Sequence, residues 1–147
     1  MSALLSNDPA GTVATSGVVE AMLRETARLL AALAADADFV GAIDLRSLSL
    51  DESEYARLRA QLGRGEVLVT IGSAGASQIT ETGYAGVWWM RLAGDDERVL
   101  LEQIVVARVP PLVPAHTADV AAAARRMESD LRAPALPAGT LVEAPHG

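Results

Sequence analysis

The sequence contains no cysteine and no lysine. Without cysteine there is no disulfide, no thiolate zinc site, no iron–sulfur ligation and no sulfur nucleophile. Without lysine there is no Walker-type phosphate contact, no Schiff base and no kinase-type lysine. Every one of the 12 basic residues is an arginine. Aromatics are scarce, at 2 Trp, 2 Tyr and 1 Phe. Histidine is nearly absent as well, with His116 beside a proline run and His146 next to the last residue. Neither has a second histidine at the spacing of a metal site. No apolar run approaches the roughly 20 residues needed to cross a bilayer. The start, MSALLSNDPAGTVATSG, lacks the basic region and apolar core of a signal peptide. These absences predict a soluble, cytoplasmic protein without cofactor, metal or membrane partner.

The net charge of −7 argues against nucleic acid and anionic membrane surfaces, both of which call for clustered basic residues. Half of the 147 residues are apolar, which suits one domain with its own core. Small and polar residues over 1–15 suggest a flexible leader, and the proline-rich stretch 133–147 a flexible tail. A single domain is expected over 16–132.

Within it, Val18, Val19, Met22, Leu23, Leu29, Leu30 and Leu33 recur at helical spacing, predicting a helix over 18–35 with Ser16 as its cap. Phe39, Val40, Ile43 and Leu45 suggest a short extended segment. A second helix follows. Ser49 with Glu52, or Asp51 with Glu54, fits a capping box, and Gly63 and Gly65 stop the helix. The stretches EVLVTIG, SQITET, GVWWMRL and ERVLLEQIVVARV read as strands joined by tight turns, the last after Gly-Asp-Asp. Short links favour antiparallel pairing. Thr117 caps a third helix. The expected fold is α+β, a four-stranded antiparallel meander with helices packed on one face.

Candidate chemistry is sparse. GSAGAS precedes a strand and not a helix, so it lacks the amide cradle of a phosphate loop. Asp95, Asp96 and Glu97 fit a hairpin tip better than a calcium loop. Asp44 and Glu81 are the one carboxylate pair that a sheet pocket could use, if the fold brings them together.

The adjacent Trp88 and Trp89 are the most distinctive feature. On a strand they point to opposite faces. Either both are buried, or one anchors the core while the other meets a partner. Arg91 shares the parity of Trp89, giving a Trp–Arg stripe.

The ordered set Ile43-Asp44-Leu45, Leu62-Gly63-x-Gly65-Glu66-Val67, Ile79-x-Glu81-Thr82 and Gly86-Val87-Trp88-Trp89 resembles the C-terminal conserved region of the HupH/HyaF hydrogenase expression proteins. The resemblance covers about residues 42–114. Typical members are longer at the N-terminus. It implies an accessory protein for maturation of nickel–iron uptake hydrogenases, an assembly factor or chaperone and not a catalyst. It implies binding to a hydrogenase subunit or another maturation protein. Gln78, Glu81, Thr82, Trp88, Trp89 and Arg91 are the candidate partner-binding residues. Two other outcomes stay open: a homodimer through the sheet face, and a small-molecule site or enzyme built on a carboxylate pocket around Glu81.

Overall fold

The structure is a computed structural model that describes residues 2–72 and 77–133, with side chains from 17 onward. The chain divides into two units, 1–111 and 112–147. In the first, helix α1 (Ser2–Ala35) is longer than the sequence pattern predicts and takes in the stretch read as a leader. Ser16 therefore lies inside the helix and is not at its N-cap position. The buried positions Val19, Met22, Thr26, Leu29 and Leu33 alternate by three and four residues, which lays them along one face. Thr26 fits there because its hydroxyl donates to the Met22 carbonyl at 2.8 Å.

Helix α2 (Glu52–Leu62) uses the second of the two possible capping registers. The Asp51 carboxylate accepts the Glu54 N–H at 2.8 Å, and the Glu54 carboxylate accepts the Asp51 N–H at 2.9 Å. Leu50, just before the cap, and Tyr55, one turn into the helix, both pack on the core, the arrangement of a hydrophobic staple. Hydrogen bonds donated to the Asp51 carboxylate, by the Ser53 hydroxyl first and the Glu54 N–H next, hold it below its ordinary value. Its contribution to folding is present above that ordinary value and fades as acid protonates it. The helix ends at Gly63, whose φ of 69° lies in the region that favours glycine.

The sheet has five strands: β1 (Gly41–Asp44), β2 (Leu68–Ile71), β3 (Ser77–Glu81), β4 (Val87–Ala93) and β5 (Val99–Val106). Their order is β1-β5-β4-β3-β2, antiparallel throughout. The expected four-stranded meander is present as β2 to β5. The correction is β1, the extended segment around Ile43, which pairs along the edge that β5 would otherwise leave open. A three-residue helical turn, Arg46–Leu48, then leads toward α2.

Side chains alternate between two apolar layers. Val87, Trp89, Ile104 and Val106 meet α1 and α2 in one cluster. Ile79, Trp88, Met90, Val105 and Ala107 form the other on the opposite face. Helices α1 and α2 thus lie on one face, as predicted. In the second unit, α3 (Thr117–Arg132) starts one residue after its N-cap position, His116, and buries none of its residues. The expected tail, 133–147, lies outside the described residues from 134 on.

The turn from α2 into β2 is packed tightly enough to test. A Cβ built on Gly65 would meet the Glu81 carboxylate at 2.5 Å and the Thr82 carbonyl at 2.6 Å. Gly65→Ala is expected to destabilise the fold by about 1–3 kcal/mol. Gly17→Ala, in open space on an exposed part of α1, should be neutral or stabilising. Urea denaturation of both variants checks the contrast.

Candidate functional site

Glu81 ends β3, and its backbone pairing is irregular. Its N–H donates to the Val67 carbonyl at 2.9 Å, while its carbonyl accepts the Gly65 N–H at 2.8 Å. The N–H groups of Glu66 and Val67 are taken instead by the Glu81 carboxylate, at 3.1 and 3.3 Å. Glu81 therefore acts as a clamp that completes the β2–β3 pairing. Buried Thr82 shapes the following turn: its hydroxyl accepts the Tyr84 N–H at 3.1 Å, and its own N–H reaches Val87. The next N–H, of Gly83, donates to the Leu62 carbonyl at 2.8 Å, which ties the hairpin to the end of α2.

The two tryptophans do point to opposite faces. Neither lies on the surface, with exposures of 7% for Trp88 and 4% for Trp89. The Trp88 ring sits in the second apolar layer and its Nε1–H donates to the Ala107 carbonyl at 3.0 Å. The expectation of a ring left open for a partner or a second copy does not match that burial. Trp89 lies beneath α2. Its Nε1–H donates to Glu102 Oε2 at 2.8 Å, and Arg59 stands over the ring with its guanidinium carbon 4.2 Å from the centroid. Arg59 also reaches Glu102 Oε2 at 3.6 Å, and Tyr55 tilts against the indole at 6.4 Å between centroids.

This cluster perturbs its members. Burial is the main cause that raises the Tyr55 phenol above its ordinary value, with Glu102 adding to it. Burial also lowers the Arg59 guanidinium; Glu102 opposes the shift, and Arg64 and Arg91 add to it. Arginine remains charged regardless.

Of the six predicted contact residues, Thr82, Trp88 and Trp89 are buried and Glu81 is engaged with backbone. Gln78 and Arg91 are exposed and stand opposite each other across β3 and β4. Sequence reasoning missed Glu102, Arg59 and Arg64. The signal for Glu102 was available, since it shares strand parity with inward-facing Ile104 and Val106. A lone carboxylate at such a position needs donors.

The small-molecule reading asked Asp44 and Glu81 to meet. Two strands, β5 and β4, separate β1 from β3, a gap of about 14 Å at ~4.8 Å per strand. Asp44 instead accepts the Arg46 N–H at 3.1 Å. The hollow beside Glu81, lined by Arg59, Arg64, Thr80 and Trp89, holds about 40 Å³. Typical ligand pockets are on the order of 300 Å³ or more. At the 94–98 tip, Asp96 accepts the Arg98 N–H as part of the turn. Among the described residues no group of three or more His, Cys, Asp or Glu is placed to hold a metal ion, and no helix is long and apolar enough to cross a membrane. Most of GSAGAS, at 73–76, and His146 lie outside the described residues.

Residues 18–133 match the family model described as HupH hydrogenase expression protein, C-terminal conserved region. The chain belongs to this family. The match takes in the clamp at Glu81, the Trp89 cluster and both flanking helical segments. The chain is similar to a solved hydrogenase expression protein HupH from Thiobacillus denitrificans ATCC 25259. The two are 40% identical with a TM-score of 0.73, and the likeness covers 79% of this chain and 96% of that one. It is also similar to the hydrogenase expression/formation protein HoxQ of Azotobacter vinelandii, at 38% identity over 71 residues, or 46% of this chain. HupQ of Azotobacter chroococcum mcd 1 matches at 37% over 71 residues. The chain spans 25% of the length of each of these two curated relatives.

The clamp makes a local prediction for a HupH-type domain. Glu81→Ala should speed hydrogen exchange at the Glu66 and Val67 amides by about fivefold to tenfold, for a lost bond worth about 1 kcal/mol. Glu81→Gln keeps an acceptor oxygen and should hold both amides closer to the parent rate. Amide exchange read by NMR checks both.

Proposed function

We propose that this protein is a non-enzymatic accessory factor in the maturation of nickel–iron uptake hydrogenase. It acts in the cytoplasm by holding a hydrogenase subunit or another maturation protein. The observation that carries the reading is the family match across residues 18–133, joined to what the motif residues do. The names of the similar proteins speak of hydrogenase expression and formation. The residues that carry the resemblance are spent on architecture: Glu81 on backbone N–H groups, and Trp88 and Trp89 on two buried layers. A rigid platform of this kind suits a protein that presents a surface.

The contact surface on this reading is the solvent-facing part of the predicted set. Gln78 and Arg91 form its centre. Glu81, Thr82, Trp88 and Trp89 support it from beneath by fixing strand register and the β3–β4 turn. A homodimer through the second sheet face is the weaker alternative, because that layer is already buried in one chain.

Purified tagged protein, incubated separately with purified hydrogenase subunits, their precursors and the other maturation proteins, should retain at least one of them. Retention of none under low-salt conditions would contradict the reading. A Gln78→Ala, Arg91→Ala variant that stays folded is expected to lose roughly tenfold in affinity, and full retention by that variant would move the contact elsewhere.

A further inference from the structure

The protein is acidic, yet arginines from separate elements gather at one place on its sheet. Arg59 belongs to α2, Arg64 to the turn that follows it, and Arg91 to β4. Arg59 and Arg64 line the hollow above Thr80 and Trp89. Arg91 lies two residues beyond Trp89 on the same strand face. Each of the other two is near enough to depress the Arg59 pKa by charge repulsion.

The nearby carboxylates are already committed. Glu102 accepts the Trp89 N–H and is within ion-pair distance of Arg59. Glu81 accepts two backbone N–H groups. Among the described residues Arg64 and Arg91 have no ion-pair partner, and both are exposed. Glu102, registered directly opposite Arg91, and Glu81, in the lining of the same hollow, offset part of that charge, so three arginines against two carboxylates leave a local excess of one positive charge on a chain whose net charge is −7.

That face continues outward as open sheet. Gln78 is opposite Arg91, Thr70 opposite Gln78, and Leu68 opposite Thr80, and Leu68, Thr70 and Gln78 are exposed. Beyond them β2 is the last strand of the sheet. Val67 exchanges a hydrogen bond with β3, so by antiparallel alternation Leu68 and Thr70 turn their N–H and C=O groups to the outer side.

We propose that this face receives an acidic, extended segment of a partner protein, with carboxylates seated on Arg64 and Arg91. The inference rests on the partner-binding reading above and names the chemistry of the partner. Charge complementarity selects the occupant. A second copy of this chain, docked face to face about a two-fold axis, would set the same arginines against one another. The hollow of about 40 Å³ is too small to enclose a metabolite carboxylate with its carbon skeleton. Glu81 and Thr82 then gain an indirect role, since they fix the turn and register that hold Arg64 near Arg91.

The test is a fluorescence-anisotropy titration of the full chain with labelled short peptides. One carries alternating Glu and Ser, and one has Gln in place of Glu. The Glu peptide should bind, weaken as salt rises, and lose about tenfold in affinity to the Arg64→Gln, Arg91→Gln variant. The Gln peptide should not bind. Both arginines are exposed and unpaired, so the variant should keep its fold, verified by near-ultraviolet circular dichroism. No binding of the Glu peptide would overturn the proposal. So would equal binding to the variant, displacement by free glutarate at matched carboxylate concentration, tighter binding of single-stranded DNA, or self-association lost in the same variant. The two readings separate cleanly. A Glu peptide that binds while no hydrogenase protein is retained keeps the surface chemistry and removes the hydrogenase assignment. Retention of a hydrogenase protein undiminished in the double variant does the reverse.

Discussion

The hydrogen bond from the Trp89 indole to the Glu102 carboxylate is the constraint on which the first unit depends. A carboxylate at an inward position costs several kcal/mol unless donors meet it. Trp89 supplies one from the adjacent strand and Arg59 a positive charge from α2. The contact is diagonal, because Trp89 is registered with Ile104 and Glu102 with Arg91. It therefore fixes β4 against β5 along the strand direction as well as across it. The Glu102 carbonyl accepts the Leu45 N–H at 2.9 Å, which carries the arrangement into the segment after β1. Arg59 and Tyr55 closing over the indole dock α2 at the same point.

Glu81 solves the complementary problem at the other end of the sheet. Strand β2 enters from a helix that ends at Gly63, and the glycine at 65 lets the chain pass against β3. The carboxylate absorbs the N–H groups that the irregular pairing leaves over. Glu81 and Glu102 thus both serve as internal fittings of the sheet. The surface between them carries Arg64, Arg91 and Gln78, the residues proposed above for partner contact.

Much of this was legible in the residues. Periodicity gave α1 from 18 onward, α2 with its capping box, and the β2–β5 meander, because those signals are local. The motif order gave the family. The fifth strand was not legible, since whether a short extended segment joins a sheet depends on an open edge elsewhere. The parity of Trp88 and Trp89 was clear, but their burial was not, because alternation says which face a ring enters and nothing about what covers it. The clamp made by Glu81 was not legible for a related reason: its partners are backbone N–H groups, which carry no signature in the sequence. Arg59 and Arg64 went unnoticed because their neighbours Trp89 and Arg91 are distant in the chain.

The account is tested most directly by a double-mutant cycle on Trp89→Phe and Glu102→Leu, with stability read from urea unfolding. Phenylalanine removes the indole donor and leucine the acceptor. If the bond between them holds β4, β5 and α2 in place, the two changes are coupled by about 1–3 kcal/mol. Additivity within about 0.5 kcal/mol would contradict the account.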